Sequence, residues 1–441
     1  MARTRQELQE MNVMDPVFQA EVEKTPMPDF GGDFFTRRAR RAQHLKGLRQ
    51  FYPIPGPIPE VQERNRRLTM RDGGTISVRI YTPIQTRIPP SGSPLYVAFH
   101  EGGWSMGDFT DEEMNCRMIS KELGAVCVNV EYRLAPEHPF PTGINDCWDT
   151  LKWVARNYQS LGASPKVGFV IGGASAGGNI TAILAHLARD EKMNPPLTGQ
   201  YLCVLAVMPP SSVPDKYKDE YISPVENMHD PVLQMSPGDD PYEGLRKVLK
   251  MDIESPLFTP CRNPNKHRGL PWAFFQICGM DPLRDEGLCY EKLIREDFDV
   301  ETRLLIYPGY GHMFWTNYPQ LEKSNDFLKD MLEAICCNIA LVLPVSVFSV
   351  FMPLIVKGMG YKALEANLMS ITPFLAGAIG LFISMYLSDR LHERSLIIVT
   401  AMVLSIIGFT VLISSRNARL RYAFVHVCMM GAGAGGPLVT S

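Results

Sequence analysis

Val167-Gly168-Phe169-Val170-Ile171-Gly172-Gly173-Ala174-Ser175-Ala176-Gly177-Gly178-Asn179-Ile180 is the stretch that decides the fold. Residues 167–171 form a short apolar run, the pattern of a strand buried on both faces of a sheet. Residues 180–187 read as a helix. Between them stands Gly173-Ala174-Ser175-Ala176-Gly177. A Gly-x-Ser-x-Gly pattern arises by chance in roughly one chain in seven of this length, so its setting has to carry the argument. A serine at a sharp strand-to-helix turn has a strained backbone, and flanking glycines leave room for it. Its hydroxyl then stands above the sheet edge, at the positive end of a helix dipole.

On either side of this turn the same rhythm repeats. Residues 75–81, 95–100, 125–131, 201–207, 273–278 and 303–307 are short runs rich in Val, Ile, Phe and Tyr. Helical stretches alternate with them at 112–123, 144–161, 176–190, 285–296 and 320–335. Strand and helix in alternation predict an α/β fold with a mostly parallel sheet covered on both sides. The interval from 209 to about 268 breaks the rhythm. It is rich in Pro, Asp, Met and Tyr and reads as a cap inserted into the α/β core, its Met and Tyr content suiting an apolar, adaptable pocket.

A serine is a weak nucleophile near neutral pH and needs a base. His312, in Gly309-Tyr310-Gly311-His312-Met313-Phe314, follows the last strand on a glycine-loosened loop. The base needs a carboxylate to fix its tautomer. Asp281 follows the strand at 273–278; Asp285, one helical turn later, competes for the role but is expected to cap the next helix. The order Ser…Asp…His at the carboxyl ends of strands is that of an α/β hydrolase. His100-Glu101-Gly102-Gly103-Trp104 directly follows the strand at 95–100. Its glycines let the main chain turn amides inward, so Gly102, Gly103 and the amide of Ala176 are candidate donors to an oxyanion. His138, His229, His267, His392 and His426 read as structural.

Jointly these motifs resemble the hormone-sensitive-lipase-like esterases, the α/β-hydrolase fold-3 group, over residues 68–335. The blocks are HEGGW at His100, YRLAPEHPFP at Tyr132, GGASAGGN at Gly172, DPLRDEG at Asp281 and GYGHMF at Gly309. The resemblance implies a serine carboxylic ester hydrolase working through an acyl-enzyme on small or medium apolar esters. It implies no metal and no cofactor. Residues 1–67 and 209–268 would form the cap, and the Tyr132 block would brace the active-site loops. Two departures mark a subgroup: Glu101 replaces the first glycine of the usual His-Gly-Gly-Gly, and Ala174 replaces the usual aspartate before the nucleophile. Glu101 is expected to shape pH dependence or substrate choice, and with these departures the chain resembles the polyketide-tailoring acetyl esterases. A catalytically silent binding module on the same fold, as in the related gibberellin receptors, is the alternative; those proteins typically lose the base, which is present here.

Composition sets the outer limits. Lys plus Arg is 44 against 47 for Asp plus Glu, a net charge of -3, which argues against a nucleic-acid-binding surface. Scattered cysteines in apolar runs predict free thiols in a reducing compartment. The polar opening, with Arg3, Arg5, Glu7 and Glu10, predicts no secretion signal. Arg37, Arg38, Arg40 and Arg41 read as a solvated helix face. A homo-oligomer is compatible with the sequence.

After Ile335 the composition changes abruptly. Residues 335–356 carry no charge, and 368–387, 396–413 and 423–439 are similarly apolar. About 20 apolar residues suffice to cross a bilayer, so residues 336–441 are expected to be transmembrane helices. They resemble the seventh to tenth helices of a major facilitator superfamily transporter of the allantoate/pantothenate-permease-like group. The pointers are Lys357-Gly358-Met359-Gly360-Tyr361 and Ser388-Asp389-Arg390-Leu391-His392-Glu393-Arg394. Such a transporter needs two six-helix halves, so the tail reads as an anchor, a transporter fragment fused to a hydrolase, or the product of two merged genes. The resemblance makes the Asp389 loop, and with it the hydrolase, cytosolic. Arg416, Arg419 and Arg421 crowd the following loop equally, so charge alone does not settle orientation. Without the tail the enzyme would be cytoplasmic.

Overall fold

The computed structural model describes residues 3–84, 88, 92–233, 242–357, 365, 368–391, 394–415 and 417–440. Part of the expected cap, positions 358–361, His392, Glu393 and Arg416 lie outside them. The chain divides into two compact units, Met1–Cys336 and Cys337–Ser441.

In the first unit, strands β1 (Val61–Thr69), β2 (Thr75–Pro83), β3 (Leu95–Phe99), β4 (Val126–Glu131), β5 (Phe169–Ala174), β6 (Gly199–Cys203), β7 (Trp272–Cys278) and β8 (Thr302–Tyr307) form one sheet. Its order is β1-β2-β4-β3-β5-β6-β7-β8. β1–β2 and β2–β4 pair antiparallel, and all other neighbours are parallel. Every residue of β3, β5, β6 and β7 is buried, as required of strands covered on both faces. In β2 the inward set Ile76, Val78 and Ile80 alternates with more exposed residues.

β1 is the strand that hydrophobic pattern does not announce. It is an edge strand whose buried side chains are Val61 and Leu68, and it joins the sheet through its backbone, from Val61↔Pro83 to Thr69↔Thr75. Position 68, read above as the start of the α/β unit, lies inside it.

Three helices precede the sheet: α1 (Arg5–Glu10), α2 (Pro16–Lys24) and α3 (Phe34–Leu48). Each has a side-chain N-cap. Thr4 and Glu7 form a capping box, Asp15 caps α2 ahead of Pro16, and Asp33 caps α3. Helices α4 (Glu113–Leu123), α5 (Thr142–Asn157) and α6 (Ala176–Asp190) follow; α4 packs on β2 and β4, and α6 on β3, β5 and β6. Between β6 and β7 the described residues hold no strand, only 3-10 turns and the short helices α7 (Ser223–Glu226) and α8 (Glu243–Lys247). Helix α9 (Arg284–Phe298) packs on β7 and β8, and α10 (Phe314–Asn317) is a single turn.

Helix α11 (Glu322–Lys357) is continuous through the position where composition changes. The second unit adds α12 (Ile371–Leu391), α13 (Arg394–Ser414) and α14 (Ala418–Thr440). Small residues bring these helices together: a side chain at Gly380 would meet Met430, one at Gly408 Cys428, and one at Gly431 the Ala401 carbonyl. Among the described residues one segment, Ile371–Ser388, is long and apolar enough to cross a membrane, and Val399–Ser414 is a shorter apolar helix.

Candidate active site

β5 ends at Ala174 and α6 begins at Ala176, so Ser175 alone makes the turn. Its backbone sits at φ 53 and ψ -116, a region non-glycine residues rarely adopt. The conformation is held from both sides: the Ser175 amide donates to the Cys203 carbonyl (2.9 Å), and the Asn179 amide to the Ser175 carbonyl (3.0 Å). Gly177 is dictated by close approach, because a Cβ there would collide with the Phe99 carbonyl. Asn179 is fully buried and donates to the carbonyls of Ala206 (2.7 Å) and Phe258 (2.6 Å), fastening the turn to the segment after β6.

His312 lies on the loop after β8, and Asp281 just beyond β7. Both are buried, at 3% and 0% exposure. His312 Nδ1 lies 2.7 Å from Asp281 Oδ2 and Nε2 lies 3.1 Å from Ser175 Oγ. A carboxylate can only accept, so Nδ1 carries the proton and Nε2 is left as acceptor for the hydroxyl. Asp281 Oδ1 takes the Leu283 amide (2.8 Å), and Asn227 Nδ2 holds the Asp281 carbonyl (2.9 Å).

Asp285 has other work. Its carboxylate accepts the amides of Ile222 (2.7 Å) and Ser223 (2.6 Å) and pairs with fully buried Arg284 (2.7 Å). The expectation that it caps α9 is corrected: the N-cap position is Leu283, and Asp285 anchors the inserted segment instead.

One acidic residue at the site gave no sequence signal. Asp230 is buried in the inserted segment, and its Oδ2 accepts the backbone amide of His312 (2.5 Å) while Oδ1 accepts those of Val232 (2.8 Å) and Leu233 (2.7 Å). Burial and the nearby Asp281 push its carboxyl up to about 6, against the pull of His312 and the amides. An Asp-Pro pair marks a turn and nothing more, so only the folded chain reveals this contact.

On the other side of Ser175, Gly102 and Gly103 take φ 111 and 58, which glycine alone adopts freely. No acceptor among the described residues engages the amides of Gly102, Gly103 or Ala176. His100 is buried and stacks on Tyr132 (centroids 4.1 Å apart), whose hydroxyl donates to the His100 carbonyl (3.0 Å). Its Nδ1 lies 2.7 Å from the Glu101 carbonyl, which fixes that nitrogen as the donor. Burial, then Asp111 and Glu112, hold the Glu101 carboxyl well above the usual carboxylate range and favour its protonated form.

Ser175 and His312 open on one cavity of about 350 Å³. Ser175, His312, Gly102 and Gly103 line it together with Leu233, Leu245, Val248, Leu249, Met106 and Met313, so its walls are largely apolar. Of the other histidines in this unit, His186 and His267 bond to each other (2.8 Å) away from this set, and His138 and His229 are exposed.

The comparisons agree with this architecture. The α/β-hydrolase fold family profile matches residues 96–316. An AB hydrolase superfamily protein of Schizosaccharomyces pombe is 40% identical over 278 residues, covering 63% of this chain and 80% of that protein. Carboxylesterase NlhH of Mycobacterium tuberculosis is 35% identical, covering 64% and 82%. The crystal structure of vibralactone cyclase superposes with a TM-score of 0.69 at 32% identity, over 76% of this chain and 97% of that one. The chain belongs to the α/β-hydrolase fold family, in its fold-3 group of carboxylesterase-type hydrolases.

Proposed function

We propose that this enzyme cleaves carboxylic esters through a Ser175–His312–Asp281 triad and an acyl-enzyme. Ser175 Oγ attacks the acyl carbon as His312 Nε2 takes its proton; the imidazolium then protonates the departing alcohol. Asp281 holds the ring in the tautomer this needs. The amides of Gly102, Gly103 and Ala176 receive the charge that develops on the carbonyl oxygen. Water, deprotonated by His312, attacks the acyl-serine and releases the acid. The observation that carries this reading is the unbroken line of hydrogen bonds from Asp281 Oδ2 through His312 to Ser175 Oγ, 2.7 and 3.1 Å long.

The cavity size and apolar walls favour small or medium ester substrates. Polyketide acetates suit the same site, on the resemblance of the Glu101 and Ala174 departures. We expect p-nitrophenyl acetate or butyrate to be turned over and Ser175→Ala to lower kcat by about 10⁴-fold or more. Retained activity in that variant would exclude Ser175. Labelling by a fluorophosphonate probe separates an enzyme from a silent pocket, which would not react.

The second unit supports a membrane role. Ile371, Leu375, Phe382, Tyr386, Leu396, Val399, Ile406 and Ile413 all present large exposed apolar side chains. In water such a surface is costly, and in lipid it is solvated. We read it as a bilayer anchor derived from a transporter-like segment, with the hydrolase on the cytosolic side. Partition of the full chain into the soluble fraction without detergent would exclude this.

A further inference from the structure

The basic run of the N-terminal segment is not one solvated face. Arg38 pairs with Glu137 and donates to the Ser105 carbonyl (3.0 Å), and Arg40 donates to the Phe30 carbonyl (2.9 Å). Arg37 and Arg41 point elsewhere. With Phe34 and Leu45 they occupy positions i, i+3, i+7 and i+11 of α3, one helix face, and all four line the cavity that holds Ser175.

Neither of these two guanidinium groups has an ion-pair partner among the described residues. Among the described residues Arg41 makes one hydrogen bond, from Nη1 to the Val232 carbonyl at 3.5 Å, the long limit for such a bond. The carboxyls that face it are Asp230 and Glu101. Asp230 already accepts three backbone amides, and Glu101 is held toward its neutral form. Burial accordingly pushes Arg41 down from its ordinary value. A guanidinium partly withdrawn from water without a matched carboxylate is unfavourable, and an apolar ester does not require it.

We infer that the substrate is an ester that also bears a carboxylate, and that Arg41, seconded by the more exposed Arg37, is the counter-charge that selects it. This rests on the esterase reading above and narrows its substrate class. The planar fork of arginine suits a bidentate carboxylate. Apolar walls beside it would hold the remainder of an amphipathic acid.

Two matched pairs test this with the full chain. For charge on the alcohol side the pair is 4-acetoxybenzoate and its methyl ester. For charge on the acyl side it is the mono-p-nitrophenyl ester of adipic acid and the methyl ester of that compound. The readout is the ratio of kcat/KM within a pair, in which any general loss of folded enzyme cancels. The wild type should favour the anionic member of at least one pair, and the responding pair tells which side carries the charge. Arg41→Gln should lower that ratio tenfold or more, Arg41→Lys less, and Arg37→Gln least. A ratio unchanged within twofold in Arg41→Gln and in the Arg37→Gln/Arg41→Gln double variant overturns the inference. If the wild type hydrolyses neither member of either pair, the esterase reading falls separately. Charge recognition is then read from binding: 4-acetoxybenzoate should raise Tm more than its methyl ester does, and Arg41→Gln should remove that difference. Equal shifts overturn the inference.

Discussion

The turn that carries Ser175 and the loop that carries His312 meet across one hydrogen bond of 3.1 Å, yet they are held by opposite means. The serine turn is largely built by its own neighbours: β5 delivers it, α6 leaves it, and Gly177 lets Phe99 of the adjacent strand come close. The histidine loop is held from far away. The Gly309 amide donates to the Met11 carbonyl (2.8 Å), and the Asp15 amide returns to the Gly309 carbonyl (3.1 Å). Phe18 of α2, fully buried, stacks on Tyr310 (5.2 Å) and meets Tyr318 edge-on (5.3 Å). Asp230 grips the His312 amide from the inserted segment. Ser175 thus belongs to the sheet, while His312 depends on the leading helices and the cap.

That contrast can be broken most forcefully at the turn. Gly177→Ala places a methyl group against the backbone carbonyl of Phe99, which no side-chain rotation relieves. We expect a loss of about 4–5 kcal/mol in stability, at the upper end of single substitutions, read from denaturant unfolding. A variant as stable as the wild type would mean that the turn does not need that close approach. The corresponding test of the loop is remote from it in sequence. Phe18→Ala empties a buried aromatic site under Tyr310, Phe314 and Tyr318 and should cost about 3–4 kcal/mol. Its distinguishing mark is functional: kcat should fall at temperatures where the variant remains folded, because the histidine loop loses its floor. Unchanged kcat in folded Phe18→Ala would show that the loop keeps its own shape.

The same contrast explains what could be read from sequence. Ser175, Asp281 and His312 each follow a strand of strong apolar pattern, so their placement at one sheet edge follows from topology. The mostly parallel character of the sheet was legible for the same reason; its strand order was not. β1 was not, since an edge strand with Val61 and Leu68 as its inward residues has no periodic signal to show. Nor were Asp230, Asn179 or the inward turn of Arg37 and Arg41. Each acts on chain distant in sequence (Asp230 on His312, Asn179 on Phe258), and such contacts leave no local pattern. The run from Arg37 to Arg41 illustrates the limit well. Its composition predicts a wet face, and only the position of α3 over the cavity divides its arginines between surface pairs and the site.

Asp230 offers the finest test, because it couples the loop to pH. Burial, and then Asp281, push its carboxyl up to about 6 from an ordinary value of 3.8. A carboxyl raised on folding binds its proton more tightly in the native state than in the unfolded one. The stabilisation it brings is therefore fully present below about pH 4 and is lost as pH rises toward 6. A rise of that size is worth about 3 kcal/mol. Asp230→Asn keeps the shape and removes the titration. The unfolding free energy of the variant minus that of the wild type should therefore rise by up to about 3 kcal/mol between about pH 4 and pH 7. Taking the difference cancels the contributions of buried groups that do not touch Asp230, among them Glu286, which burial raises to about 7, and His186, which burial lowers to about 4. A difference that stays flat across that window would mean that the carboxyl holding the His312 amide is not under the strain its burial implies. The amides of His312, Val232 and Leu233 would then offset the cost of its burial in full.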